Sequence, residues 1–403
     1  MNNPSPSGHR QSFIGRVQEQ RQFRIALEGL LAHHRQWLAQ TGQSAPPWTE
    51  DAGPHDDTYP RIFLVQGAGG IGKSWLTRRC LDIAAGAETS PPVLTLYDDL
   101  SLESAVLTPT DLLNRLYRRL VEAGQSGAAQ IFRQTQTRLS ELSERVSRFR
   151  ADHPALWQSL QEQAGASQPP QSAADLLLAR MAQDGLLSPE ELEDLQTPHQ
   201  TLARGLVTAL QTIIARQPLV IALDNLESIV PLEPFLRDHL VLPTVHLPLL
   251  WILSGRNNLA DERTVQVEGQ TRTHKGYRDF LAQNPPLVWD MSTFGDAELR
   301  TYLEAETRRR GVNLTIDDTL VEALKTASAG IPLVVEMVTD ALFFMDREQF
   351  VQTFGPEDKS LSPAARLEQV AAHYLRHGLT RDDDLERLYA LALLRRHPEP
   401  DAL

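Results

Sequence analysis

Apolar positions follow two rhythms along this chain. Five short runs are largely apolar from end to end: RIFLVQG at 61–67, PVLTLYD at 92–98, PLVIALD at 218–224, LPLLWILSG at 247–255 and PLVWDMS at 286–292. Strands buried on both faces of a sheet read this way. Elsewhere the apolar residues recur at helical spacing. Phe23, Leu27, Leu30, Leu31 and Leu38 predict a helix before the first strand. SWLTRRCLDIAAG predicts another after it, ended at Gly86. From about 100 to 216 the pattern is helical but polar, rich in Gln, Arg and Ser, and broken at SQPPQS (167–172). Beyond 295 come DAELRTYLEAETRRRG, DDTLVEALKTASAG and IPLVVEMVTDALFFM. The last two helices meet at Gly330 and Pro332, where a proline in a first helical turn sacrifices no hydrogen bond. The chain after Ser362 reads as helical again, and no internal repeat is visible. Strands alternating with helices predict an α/β fold with a parallel five-stranded sheet and right-handed crossovers.

A chain of 403 residues has room for two or three domains. The expected division is an arm, helix and loop at 1–60, a core at 61–295 with a helical insertion at about 100–216, a helical lid at 296–355 and a further partial domain at 356–403. The first twelve residues, polar and Pro-rich, predict a disordered arm, and TGQSAPPWTEDAGPHDDTYP predicts a loop. The net charge of −13 argues against a chain-wide nucleic-acid footprint, which would be basic. The single cysteine, Cys80, excludes a disulfide framework and a cysteine zinc site. The start MNNPSPSGHR has no apolar core, and IPLVVEMVTDALFF is interrupted by Glu336 and Asp340, so a soluble, cytoplasmic protein away from membranes is expected. His33 and His34 read as surface imidazoles, and RLYRRL (115–120) and RRRG (308–311) as solvated helix faces. There is no G-x-S-x-G and no H-E-x-x-H.

The candidate chemistry lies in GAGGIGKS, which fits G-x-x-x-x-G-K-[ST] at Gly67, Gly72, Lys73 and Ser74. Glycines allow backbone N–H groups to close around phosphate oxygens with no side chain in the way, and the helix that follows offers its positive end to the anion. Gly67, Gly69, Gly70, Ile71, Gly72, Lys73, Ser74 and Trp75 are the candidate phosphate-binding residues. Lys73 would reach the β- and γ-phosphates, and the Ser74 hydroxyl would ligate Mg²⁺.

PLVIALDNLE ends a buried strand with Asp224, a position that faces the ligand crevice of a parallel sheet. Asp224 would hold Mg²⁺, usually through water. Glu227, three residues on, could polarise an attacking water, with Asn225 as the alternative. LLWILSGRNN places Ser254 and Arg256 just past the fourth strand, expected between the loop strand and the acidic strand, where a polar or cationic group can sense the γ-phosphate.

Phe13-Ile14-Gly15-Arg16 with Glu19 resembles the hhGRxxE opening motif of signal-transduction ATPases, the STAND class that includes NB-ARC and NACHT proteins within the wider AAA+ relatives. GAGGIGKS resembles their phosphate loop, and SAGIPLVVEM their GxP helix start. The order of these motifs, with the acidic strand and Arg256 between them, is the family order and covers about 12–345. The resemblance implies a P-loop ATPase with an all-α lid and the start of a winged-helix domain. It implies Phe13, Ile14 and Arg16 near adenine and ribose, Lys73, Ser74 and Asp224 on phosphate and Mg²⁺, Arg256 at the sensor position, and Pro332 packed on the base. Two departures stand out. Many members carry two adjacent acids where this chain has Asp224-Asn225, and LERLYALALLRRHPEPDAL resembles only the first part of the winged helix, with no His-Asp motif after it. The expectation is therefore a piece of a longer protein or a short form, with any sensor or effector C-terminal to residue 403.

Three functions follow. The first is an ATP/ADP switch with slow, Mg²⁺-dependent hydrolysis, forming a homo-oligomer in the ATP state and serving signalling, transcription control or antiphage defence. The second is a DNA-handling AAA+ ATPase of the initiator or transposition type, disfavoured by the acidic charge. The third is a scaffold that binds nucleotide without hydrolysing it.

Overall fold

The computed structural model describes residues 15–41, 59–87, 92–101, 108–166, 172–267, 270–282, 284–344 and 346–354. Phe13, Ile14, the N-terminal arm and the stretch read as the beginning of a winged helix lie outside the described residues.

The five apolar runs become the strands of one parallel sheet. They are β1 (Ile62–Gln66), β2 (Leu94–Asp99), β3 (Leu219–Asp224), β4 (Leu249–Gly255) and, after an antiparallel hairpin of β5 (Arg263–Val267) and β6 (Gln270–His274), β7 (Leu287–Asp290). The sheet order is β2-β3-β4-β1-β7, every pairing parallel. A strand thus separates the one that feeds the glycine loop from the one that ends in Asp224. The intervening strand, β4, is the one that leads to Ser254 and Arg256, as expected.

Alternation along the strands divides the core in two. Phe63, Val65, Val220, Ala222, Leu250 and Ile252 face α1 (Val17–Thr41) and α2 (Lys73–Ala85). Ile62, Leu64, Leu219, Ile221, Leu223, Trp251 and Leu253 face the other way, onto α3 (Pro109–Glu122), the first half of α4 (Ser126–Asp152) and α8 (Pro198–Ile214). Burying each such side chain contributes about 1.5–3 kcal/mol, so the sheet is the mechanical base of the site. The second half of α4, with α5 (Pro154–Ala166), α6 (Ala173–Gln183) and α7 (Pro189–Gln196), closes a small core of its own around Leu160, Leu177, Leu178, Met181 and Leu187. The long 100–216 stretch is therefore partly sheet cover and partly a separate helical lobe. After β3 a short α9 (Glu233–Leu236) leads toward β4. Past β7, α10 (Asp296–Arg310), α11 (Asp318–Ser328), α12 (Pro332–Phe344) and α13 (Arg347–Phe354) pack around Leu303, Leu324, Val335, Val338 and Phe350. Among the described residues no helix is long and apolar enough to cross a membrane.

Two of the residues read as solvated, His34 and Arg115, prove buried, while His33 is half-buried. His34 lies inside and donates its Nε2–H to the carbonyl of Ile214 at 2.9 Å, and His33 contacts the Tyr59 hydroxyl at 3.1 Å. In RLYRRL, Arg115 is 2% exposed and pairs with the fully buried carboxylate of Asp98, which Arg119 also holds at 2.8 Å. Two cations on one buried acid satisfy charges that would otherwise be too costly to desolvate. The 308–311 cluster is exposed, as the pattern predicts, and its Arg309 and Arg310 reach back to Glu306, Arg310 also to Asp340. The β5–β6 hairpin was not foreseen, because its Thr- and Gln-rich strands lack an apolar alternation strong enough to mark them.

Candidate nucleotide site

β1 delivers the chain into the loop and α2 carries it away from Lys73. Gly67, Gly70 and Gly72 adopt φ of 150°, 75° and 95°, a geometry that lets successive backbone N–H groups share one concavity. The Lys73 ammonium lies back over this loop and donates to the carbonyls of Gly67 and Ala68 at 2.8 and 2.9 Å. Burial pushes its pKa below the ordinary lysine value, Arg256 pushes the same way, and Glu227 and Asp224 oppose them. A desolvated ammonium resting on neutral carbonyls, at a helix N-terminus, is set to exchange them for an anion. The hydroxyls of Thr77 and Ser254, on the α2 side of the sheet, are buried without a hydrogen-bond partner. The loop and the cation fit a phosphate chain. Ser74 is half-buried in the first turn of α2, Ile71 packs into the core and Trp75 stands 45% exposed on the outer side of that turn.

The carboxylates expected at the strand ends are present and each is already held. Asp224 is fully buried: its Oδ2 accepts from the Tyr97 hydroxyl at 3.1 Å, and its Oδ1 from the Asn225 N–H at 3.0 Å. Glu227 is gripped by Arg256 twice, by Nε on Oε1 at 3.1 Å and by the backbone N–H on Oε2 at 3.1 Å. The Arg256 guanidinium also covers the loop, since a Cβ at Gly69 would sit 3.3 Å from its Nη2. Lys73, Asp224, Glu227 and Arg256 therefore share one electrostatic neighbourhood.

The helices expected to form a lid touch the same loop. Pro332 starts α12, and the next residue, Leu333, donates its N–H to the carbonyl of Gly70 at 3.2 Å. Gly70 packs so closely that a Cβ there would meet Ile331 and Leu333 at 3.4 and 3.5 Å. Upstream, the Gly330 carbonyl accepts from the Phe294 N–H at 2.7 Å. Gly330 sits at φ 69°, and an added Cβ would lie 2.7 Å from the Phe294 carbonyl oxygen, so only glycine fits. The opening motif closes on this junction as well. Arg16, itself at φ 52°, donates to the Ser292 carbonyl and lies 5.7 Å from the Phe294 ring centre, while Gly15 faces Phe294 and Glu298.

The sequence thus placed Gly15, Arg16, Gly67, Gly69, Gly70, Ile71, Gly72, Lys73, Ser74, Asp224, Glu227, Arg256 and Pro332 on segments that converge, with Trp75 turned outward. It missed Tyr97 and Asp99. The signal was present: PVLTLYDDL ends an apolar run in Tyr-Asp-Asp, the same rule that singled out Asp224.

No protein-family model matches the chain, and no curated protein matches it. Among solved structures it is similar to Drosophila ORC bound to DNA, at 14% identity and a TM-score of 0.34 over 87% of this chain and 70% of that one. It is similar to the Aeropyrum pernix ORC1 protein in complex with DNA, at 14% identity and a TM-score of 0.36 over 89% of this chain and 65% of that one. C. elegans PCH-2 follows at 9% identity and a TM-score of 0.30, over 90% and 71%. The chain thus spans 65% of the length of the Aeropyrum pernix protein. The strand order and the glycine loop identify the fold without these likenesses.

Proposed function

We propose that the chain binds ATP and ADP with Mg²⁺ and acts as a two-state switch that hydrolyses ATP slowly. The observation that carries this reading is the hydrogen bond from Leu333 to Gly70, which joins the lid helix to the phosphate loop. A ligand seated in the loop acts on that contact directly. Two nucleotides shift the lid only if they interact differently with its docked and released states, and the γ-phosphate is the difference between them.

Lys73 and the loop amides would hold the phosphates, and Ser74 and Asp224 the Mg²⁺. The bound ion would neutralise charge on the β- and γ-phosphates. Arg16 and Pro332 would flank the base and ribose. Arg256, now spent on Glu227, would turn to the γ-phosphate and leave Glu227 free to orient a water. A base that must first be released supports slow turnover. ADP would keep the lid docked. ATP would release it, allowing a homo-oligomer or a protein partner to engage, in a signalling, transcription-control or defence role.

The test is to denature the purified chain without added nucleotide and identify what it releases. Stoichiometric ADP, absent from Lys73→Ala, is the expected result. A chain that carries no nucleotide and binds none when ATP or ADP is added overturns the reading. Rapid exchange together with salt-dependent DNA affinity and DNA-stimulated turnover would favour a DNA-handling ATPase instead.

A further inference from the structure

Asp224 is oriented by residues of the neighbouring strand that no motif points to. Asp99 and Asp224 are register partners at the ends of β2 and β3. Alternation puts Tyr97 and Asp99 on the same face as Asp224, the face covered by α2. Tyr97 acts on Asp224 directly, through the 3.1 Å bond to Oδ2. The direction of that bond is fixed. Arg78 of α2 approaches the phenol oxygen at 3.5 Å and has only donors, and its guanidinium lies 5.2 Å from the Tyr97 ring centre. The one phenolic hydrogen therefore goes to the carboxylate, which only accepts.

Asp99 acts through Asn225. Its Oδ1 accepts from Asn225 Nδ2 at 2.7 Å, from the Ser101 N–H at 3.0 Å and from the Ser101 hydroxyl at 2.7 Å. Asn225 stands in the left-handed region at φ 59°, which asparagine adopts more readily than most residues other than glycine, and its side chain is tied down there by Asp99. That turn aims the Asn225 N–H at Asp224 Oδ1. The Asn225 side chain, where a second acid was expected, is thus a strut. The strand end it leans on is itself fixed, because Arg115 donates to the Asp99 carbonyl and pairs with Asp98.

We propose that Tyr97 and Asp99 are positioning residues that fix the Asp224 carboxylate for Mg²⁺. Each takes up one lone-pair direction of Asp224, Tyr97 directly and Asp99 by way of the Asn225 N–H. A carboxylate offers about four such directions, so one on each oxygen remains for the ion or its water. Outer partners of this kind change metal affinity by about 10–100-fold when removed. The inference rests on the nucleotide-binding reading above.

The experiment titrates Mg²⁺ against binding of a fluorescent ATP analogue, in the parent chain and in Tyr97→Phe, Asp99→Ala and Asn225→Gly. Tyr97→Phe keeps the buried ring. Asn225→Gly keeps the left-handed turn and its N–H but cuts the link to Asp99. Tyr97→Phe and Asp99→Ala should need roughly 10–100-fold more Mg²⁺ for half-maximal binding. Asn225→Gly should also shift, while affinity for ADP in excess chelator and the metal-free unfolding midpoint stay near the parent's. A purely structural role would lower the midpoint and both affinities together, which overturns the proposal. Folded variants with the parent's Mg²⁺ dependence overturn it too and leave the nucleotide reading standing. A parent chain that binds no nucleotide overturns both.

Discussion

Glu227 and Arg256 hold each other. Arg256 grips one carboxylate oxygen through Nε and the other through its own backbone N–H, both at 3.1 Å. Side-chain exposures of 24% for Glu227 and 47% for Arg256 leave the pair open to solvent on one side, so its Coulomb energy is modest and its geometry is what matters. The residue proposed to activate water is engaged by the residue proposed to sense the γ-phosphate.

Glu227→Gln is expected to keep ATP bound and to lower phosphate release by roughly 10²–10⁴-fold, the range of a general base. Phosphate release at saturating ATP is the measurement. Turnover equal to the parent's would place the base elsewhere. A parent chain that binds ATP but releases no phosphate would make the chain a nucleotide-binding scaffold.

Gly330→Ala should loosen the lid. The new Cβ meets a backbone oxygen rather than a flexible side chain, at a φ that L-residues avoid. A cost of about 1–3 kcal/mol is expected from the backbone strain. Chemical denaturation measures it, and the nucleotide should leave the variant faster. A variant as stable as the parent would show that the 328–332 turn is soft.

Asp98→Ala should be more damaging than any exposed charge change in the chain. It removes the carboxylate that balances the buried Arg115 charge, at a cost of roughly 3–5 kcal/mol. Denaturant midpoints compared with those of Asp261→Ala, which breaks a half-exposed pair with Arg278, provide the contrast. Similar midpoints for both would contradict the buried network.

His34 makes stability depend on pH. Burial holds its pKa below the ordinary 6.5, against the Ile214 hydrogen bond, which raises it. The unfolded chain takes up the proton near 6.5 and the folded chain only at lower pH, so the unfolded state binds more protons in between. Stability is complete above 6.5 and falls as pH drops through the folded pKa. His239 is shifted the same way by burial and adds to the slope. His34→Gln should flatten the fall measured by urea denaturation between about pH 7 and 5. An unchanged slope would assign it to other groups.

The sheet was legible because strands buried on both faces must be apolar along most of their length, and β3 and β4 are so up to Asp224 and Ser254 near their ends. The loop was legible because its glycines and Lys73 serve a local geometry. What escaped reading was set by contacts between distant segments. Tyr97 and Asp99 matter only because β2 lies in register beside β3. Arg115 and Arg119 look like a solvated cluster until Asp98, seventeen residues before Arg115, is seen beneath them. His34 is polar in a mostly polar stretch, and only the carbonyl of Ile214 explains its burial. Glu227 and Arg256 were each found at a strand end, but their mutual grip needs the adjacency of those ends in space.

The most direct test of the switch follows hydrogen exchange at the Leu333 amide with ADP bound and with ATP bound to Glu227→Gln. The account predicts protection with ADP and exchange at least about 10-fold faster with ATP, as the bond to Gly70 opens. Equal protection in both states would contradict it, because the γ-phosphate would then not reach the lid.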